Sequence, residues 1–217
     1  MDQALFHLIN DRWTSPALDL FMAGISNFAI WRPLLIPLVL YALIFMGFKG
    51  RAFVVCLIVT LAISEFFFVY TLKSVINRRR PKQVQSVRMV QLERTSPEFL
   101  TLFKTPTIRF SDQSDRTKSG PSFPSGHTMD NVIIAIFCTL FFRRWGWLYF
   151  LVAVAVGYSR IYLGAHWPSD VMATAFLAAG FSLLMMALFE FLWRRFAPRK
   201  APTLWAKHPS LIGEPAS

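Results

Sequence analysis

Charge is scarce in this chain. Only 16% of its 217 residues are charged, against 54% hydrophobic and 16% aromatic, a balance too apolar for a soluble domain of this length. Acids are scarcer than bases, 12 against 23. Cysteine is nearly absent: Cys56 and Cys138 each sit in the middle of a separate apolar run, which excludes a disulfide framework and reads both as small hydrophobes. Neither a Cys/His ligand spacing nor a compact Asp/Glu cluster is present, so no metal or other cofactor is expected. The first ten residues lack a basic stretch and a small-residue cleavage site, so no cleavable signal peptide is expected there. No repeat or low-complexity tract occurs.

In their place the chain has apolar length. Residues 33–48, 52–72, 127–142, 147–163 and 169–193 are predicted to cross about 30 Å of hydrocarbon as helices. The expected fold is all-α, a polytopic helical membrane bundle with five to six spans. Residues 1–28 mix apolar side chains with Asp2, Asp11, Arg12 and Asp19, a pattern that suits a helix lying in the interface, with a short or tilted sixth span as the alternative. Residues 1–200 then form one membrane domain, 73–122 its outer-side loop, and 201–217 a polar, mobile tail without catalytic content.

Orientation follows from short basic connections. Lys49 and Arg51, then Arg143 and Arg144, then Arg194, Arg195, Arg199 and Lys200 fall at three ends on one side, read as cytoplasmic. Trp145, Trp147 and Trp193 stand beside them as interfacial anchors. The segment from Lys73 to Gly120 falls on the other side yet carries nearly half of the lysines and arginines. Several of those cations fit an anion site, so the net charge of +11 needs no nucleic-acid partner.

Three clusters on that outer side carry chemistry. Lys73 and Arg80, followed by Pro81, stand seven apart at a helix end and share a face if the helix continues. Pro124-Ser125-Gly126-His127 opens an apolar helix. Ser159-Arg160 precedes His166 and Asp170, whose spacing of four lets a carboxylate reach an imidazole. A phosphoryl group in transfer spreads negative charge over its equatorial oxygens and needs fixed cationic and N–H donors. Lys73, Arg80 and Arg160 supply the cations, the arginines as planar forks and the lysine as a point charge. Ser125 and Gly126 supply a helix N-terminus with free N–H groups and close main-chain approach, the serine adding a hydroxyl donor or a cap. His166, oriented by Asp170, is the expected nucleophile. His127 is the expected acid for the leaving oxygen and then the base for water.

The order K-x6-R-P, P-S-G-H, S-R-x5-H-x3-D resembles the three-part phosphatase signature of the type 2 phosphatidic acid phosphatases, which share an active site with vanadium haloperoxidases and class A acid phosphatases. The motifs cover residues 73–170. The resemblance implies a phosphohistidine intermediate on His166 and a bacterial inner-membrane lipid phosphatase facing the periplasm. Its substrate would be undecaprenyl diphosphate, phosphatidylglycerophosphate, phosphatidic acid or a lipid A phosphate. A lipid phosphotransferase, and a protein that binds or translocates a lipid phosphate without turnover, are the alternatives. Each cluster alone also has a bland reading: a snorkelling basic run, a capped helix start, a structural ion pair near the headgroups.

Three further expectations concern single residues. Asp130, three after His127, is expected to approach its imidazole and keep it protonated, or else merely to complement the helix dipole. Glu65, inside a span, is expected to face the bundle and hold a partner. Arg78 and Arg79 are expected to meet anionic headgroups.

Overall fold

The computed structural model describes residues 1–117 and 119–213. Helix α1 (Asp2–His7) runs into a π-helical turn, Leu8–Arg12, and α2 (Pro16–Ser26) follows. Ser15 caps α2 by accepting the Leu18 N–H, with proline at the first helical position where no N–H is needed. Asn27 likewise caps α3 (Phe28–Phe45) through the Ala29 N–H at 3.1 Å. A break at Met46 alone separates α3 from α4 (Gly47–Ile63), which continues through a π-helical segment, Ser64–Val69, into α5 (Tyr70–Ile76).

The segment between α5 and α8 is compact. It holds α6 (Pro81–Val84), the antiparallel strands β1 (Arg88–Gln91) and β2 (Thr107–Phe110), a 3-10 turn over Glu98–Phe103, and α7 (Gln113–Thr117). Arg88 stands opposite Phe110 and Gln91 opposite Thr107. This hairpin is the small β addition to an otherwise helical membrane bundle. Then come α8 (Gly126–Phe141), α9 (Tyr149–Tyr162), α10 (Pro168–Lys200) and α11 (Pro202–Lys207).

Three helical stretches are long and apolar enough to cross a membrane: α3, the α4–α5 run and α10. Helix α8, with 16 residues, rises roughly 24 Å and lies at the centre of the bundle against α4, α9 and α10. Met129, Ile133, Ala135, Phe137 and Phe141 are fully buried on it. Helix α3 is the opposite case. Leu34, Ile36, Leu38, Leu40, Ile44 and Phe45 are exposed, as lipid-facing side chains of an outer span are.

The N-terminal segment is more than an interfacial helix. Phe6, Ile9 and Met22 form a second core with Val87, Ile161, Tyr162 and Trp167. Asn10 is fully buried and donates to the carbonyls of Tyr162 (2.7 Å) and Arg88 (3.0 Å) while accepting the Arg88 N–H. Asp19, read from sequence as an interface acid, is buried and accepts from the Tyr162 hydroxyl (2.6 Å) and the Arg88 guanidinium (2.7 Å). Its partners lie far away in sequence, and a buried carboxylate needs such donors to offset its lost hydration.

The tail also departs from expectation. Trp193 donates to the His208 carbonyl, the Leu211 N–H donates to Glu190, and the His208 ring stacks on Phe48 at 4.4 Å. Its few apolar residues decide this, since Leu211 is buried in the main core. Residues 214–217 of the tail lie outside the described residues.

Candidate active site

The first cluster does not lie on one helix. Helix α5 ends at Ile76, and Asn77 adopts a left-handed conformation with φ 43°, a role that asparagine tolerates better than most residues. Lys73 therefore stays on α5, and Arg80 arrives by a turn as the cap residue of α6. The Arg80 N–H donates to Gln83 Oε1 (2.7 Å), and Gln83 Nε2 donates to the Ser119 carbonyl (2.6 Å). The Arg80 side chain is held by two carbonyls, Gly120 (2.9 Å) and Ala165 (3.4 Å). It thus lies between the segment entering the second cluster and the loop carrying the third.

Ser125 caps α8. It is fully buried, and its Oγ accepts from the Thr128 N–H (3.5 Å) and hydroxyl (3.0 Å). Its own N–H donates to Thr174 Oγ1 at 3.1 Å, so the expectation that Ser125 offers a main-chain donor to an anion is corrected. The free donors are the next two, on Gly126 and His127, which no intrahelical acceptor can reach at a helix start. A Cβ on Gly126 would meet only Glu65 Oε2, at 3.8 Å, so the main chain there is open to approach. His127 is exposed, with the Ser26 main chain against its ring.

The third cluster is folded by a glycine. Gly164 has φ +70°, a conformation that costs other L-residues, and it turns the chain so that the N–H groups of Ala165 (3.0 Å) and His166 (3.2 Å) both donate to the Arg160 carbonyl. Arg160 and His166 are thereby fixed together. The Arg160 Nη1 donates to Ser26 Oγ in a very short contact, while its Nε is buried without a partner among the described residues.

The clusters converge. His127 lies within electrostatic reach of Arg160, Arg80 and Lys73, and His166 within reach of Arg80, Arg160 and His127. His166 is 3% exposed. Burial, then the positive charges of Arg80 and Arg160, push its pKa well below the ordinary 6.5. The imidazole is therefore neutral, the form that can act as a nucleophile. The arrangement brings three cations, two free N–H donors, one sealed neutral imidazole and one accessible imidazole within electrostatic reach of one another.

Four expectations are corrected here. Asp170 makes no hydrogen bond to His166 among the described residues: its oxygens accept from Arg78 (2.6 Å), Ser122 Oγ (2.5 Å) and the Trp167 N–H (3.1 Å), because the first turn of α10 folds the carboxylate back over its own start. Asp130 makes no hydrogen bond to His127 among the described residues, and the charges near it are Glu65 and Lys73. Glu65 is exposed and makes no hydrogen bond or ion pair among the described residues, although its Oε2 lies toward Gly126 at the start of α8. Arg78 meets Asp170 and Asp2, not headgroups.

Sequence reasoning missed Ser26, Ser122, Thr174 and Asp2. Thr174 was findable, standing four residues after Asp170 on the same helix face. Ser26 and Asp2 carry no local signal, because only the packing of α2 and α1 on the bundle brings them near.

The PAP2 superfamily model matches residues 53–194. The undecaprenyl-diphosphatase of Sulfolobus acidocaldarius is 38% identical over 31% of this chain and 33% of its own length. The lipid A 4'-phosphatase of Bacteroides thetaiotaomicron is 27% identical over 75% of this chain and 66% of its own length. The chain spans less than half the length of the curated relatives it matches at 37 and 38% identity. Among solved structures, the Aquifex aeolicus LpxE crystal structure superposes with a TM-score of 0.56 at 24% identity, over 86% of this chain and 94% of that one. That likeness shows the fold.

Proposed function

From the premise that this chain belongs to the PAP2 superfamily, we propose that it is an integral-membrane lipid phosphatase. It hydrolyses a phosphate monoester or diphosphate on an amphiphile whose tail lies in the bilayer. The observation that carries this reading is the meeting of Lys73, Arg80 and Arg160 with two imidazoles at the open start of α8. A protein that only binds an anion has no use for a neutral imidazole sealed between two arginines.

In the first step His166 Nε2 attacks phosphorus, the bond from phosphorus to the lipid oxygen breaks, and His127 gives that oxygen a proton. In the second, water attacks the phosphohistidine, His127 takes its proton, the P–N bond breaks and inorganic phosphate leaves. Lys73, Arg80, Arg160 and the N–H groups of Gly126 and His127 hold the equatorial oxygens throughout. Those cations do the electrostatic work a metal does elsewhere, so turnover is expected to survive excess EDTA. The basic connections at Lys49–Arg51 and Arg143–Arg144 favour an inner-membrane protein whose site faces the periplasm.

Undecaprenyl diphosphate and lipid A phosphates are the first substrates to test, because relatives are named for them. The deciding experiment is phosphate release by purified protein from these lipids, phosphatidylglycerophosphate and phosphatidic acid, in EDTA, with His166→Ala beside the wild type. Release that disappears in a folded His166→Ala protein is expected. Undiminished release would overturn the nucleophile, and phosphate appearing on a second lipid would make the protein a transferase.

A further inference from the structure

Glu65 is a carboxylate without a protein partner beside the start of α8. It lies in the π-helical segment Ser64–Val69, which packs against α8. Ser64 and Val69 are buried there, whereas Glu65, Phe66 and Phe67 are exposed, as is Tyr70 at the start of α5. The aromatic side chains have the hydrocarbon to face. The carboxylate has nothing equivalent, and an acid exposed within a span is costly unless a partner meets it.

Its position says what that partner is. A Cβ on Gly126 would stand 3.8 Å from Glu65 Oε2, so the carboxylate oxygen lies beside the main chain that presents the free N–H groups of Gly126 and His127. Gly126 immediately precedes His127, the exposed imidazole that gives the leaving oxygen its proton in the proposed mechanism. Glu65 therefore stands at the phosphate seat, on the side that Phe66, Phe67 and Tyr70 open to lipid tails. An ionised carboxylate only accepts hydrogen bonds. The anionic oxygens of the phosphate cannot supply them, so the donors must come from the alcohol to which the phosphate is esterified.

We propose that Glu65 is a specificity-determining residue that accepts hydrogen bonds from hydroxyl or amide groups on the substrate's alcohol, close to the ester oxygen. It thereby selects a phosphate monoester of a glycerol, sugar or amino alcohol. The same charge disfavours a polyprenyl diphosphate, whose alcohol offers no donor and whose second phosphate adds negative charge near the carboxylate. This rests on the phosphatase reading for what occupies the seat, but the selection can be measured as binding, without turnover.

Ceramide 1-phosphate and phosphatidic acid are matched probes. Both are double-chain phosphate monoesters, and only the first has an amide N–H and a hydroxyl near its phosphate. Dissociation constants for both are measured in detergent micelles on His166→Ala protein, which is not expected to consume them, with Glu65 intact, with Glu65→Gln and with Glu65→Ala. With Glu65 intact, ceramide 1-phosphate is expected to bind about tenfold tighter or more, the size of a hydrogen bond to a charged acceptor. Glu65→Ala is expected to abolish that preference from both ends. Ceramide 1-phosphate binds more weakly, and phosphatidic acid binds more tightly because a negative charge beside its phosphate is gone. Glu65→Gln keeps an acceptor and retains part of the preference. A merely structural role would move both lipids the same way. No preference with Glu65 intact, an unchanged preference in Glu65→Ala, equal weakening of both lipids, or binding of neither overturns the proposal. Should Glu65→Ala not fold, an unchanged preference in Glu65→Gln overturns it. Phosphate release from the same lipids is followed in protein that keeps His166. A Glu65-dependent preference in binding with no release from either lipid leaves the selection standing and sinks the phosphatase reading alone.

Discussion

The Ser125 N–H and Thr174 Oγ1 are 3.1 Å apart across the interface of α8 and α10. The same hydroxyl donates back to the Asp170 carbonyl at 2.6 Å. One threonine thus ties the start of the helix that would seat the phosphate to the first turns of the helix after His166.

Thr174→Val keeps the shape of the side chain and removes that link. The Ser125 N–H is then buried without an acceptor, at a cost of about 1–3 kcal/mol. Thermal unfolding in detergent is expected to show the loss, and phosphate release is expected to fall beyond what the lower stability explains. Equal stability with equal activity would mean that the cap of α8 does not depend on Thr174.

Gly164→Ala tests the turn that brings Arg160 and His166 together. A left-handed alanine costs about 1–2 kcal/mol, and its Cβ would stand 2.9 Å from Val87 Cγ2, so the hairpin must shift as well. Val87→Ala in the same chain should recover the crowding part and not the backbone part. Activity of Gly164→Ala measured with and without Val87→Ala separates the two.

Hydropathy and local motifs made much of this legible. The five apolar runs correspond to α3, the α4–α5 run, α8, α9 and α10, and three of them, α3, the α4–α5 run and α10, are long and apolar enough to cross a membrane. The three clusters could be read because each is contiguous. Contacts between distant segments could not. That Asp170 turns to Arg78 depends on a helix ending at Asn77, and that Asp19 is buried depends on Arg88 and Tyr162 arriving from elsewhere. The spacing of four between His166 and Asp170 was a sound local argument, defeated by three donors offering better geometry to the carboxylate.

Topology is open to chemical labelling. In a background lacking Cys56 and Cys138, a cysteine at Lys104, whose side chain is 53% exposed, is expected to react with an impermeant maleimide in intact cells. One at Arg143 is expected to react only after the membrane is opened. The reverse pattern would put the site on the cytoplasmic side and change the candidate substrates.

The acid side of the pH profile follows from the environment of His166. Burial and then the charges of Arg80 and Arg160 lower its pKa, so the wild-type imidazole stays neutral as pH falls through the ordinary value of 6.5. The acidic limb of kcat/KM, which reports the free enzyme, is therefore expected well below that value. Arg80→Gln removes one repelling charge, leaves burial and Arg160 in place, and raises the His166 pKa part of the way back. The limb should move to higher pH, while the loss of a phosphate contact raises KM at every pH without changing the shape of the profile. Stability has a matching sign. Below about pH 6.5 the unfolded chain takes up a proton that the buried imidazole refuses, so the native state loses stability as pH falls from there to the depressed folded value. Arg80→Gln narrows that window from its acid end, whereas His166→Gln abolishes this contribution. An acidic limb that stays in place in folded Arg80→Gln enzyme, with chemistry rate-limiting, would show that His166 does not set it.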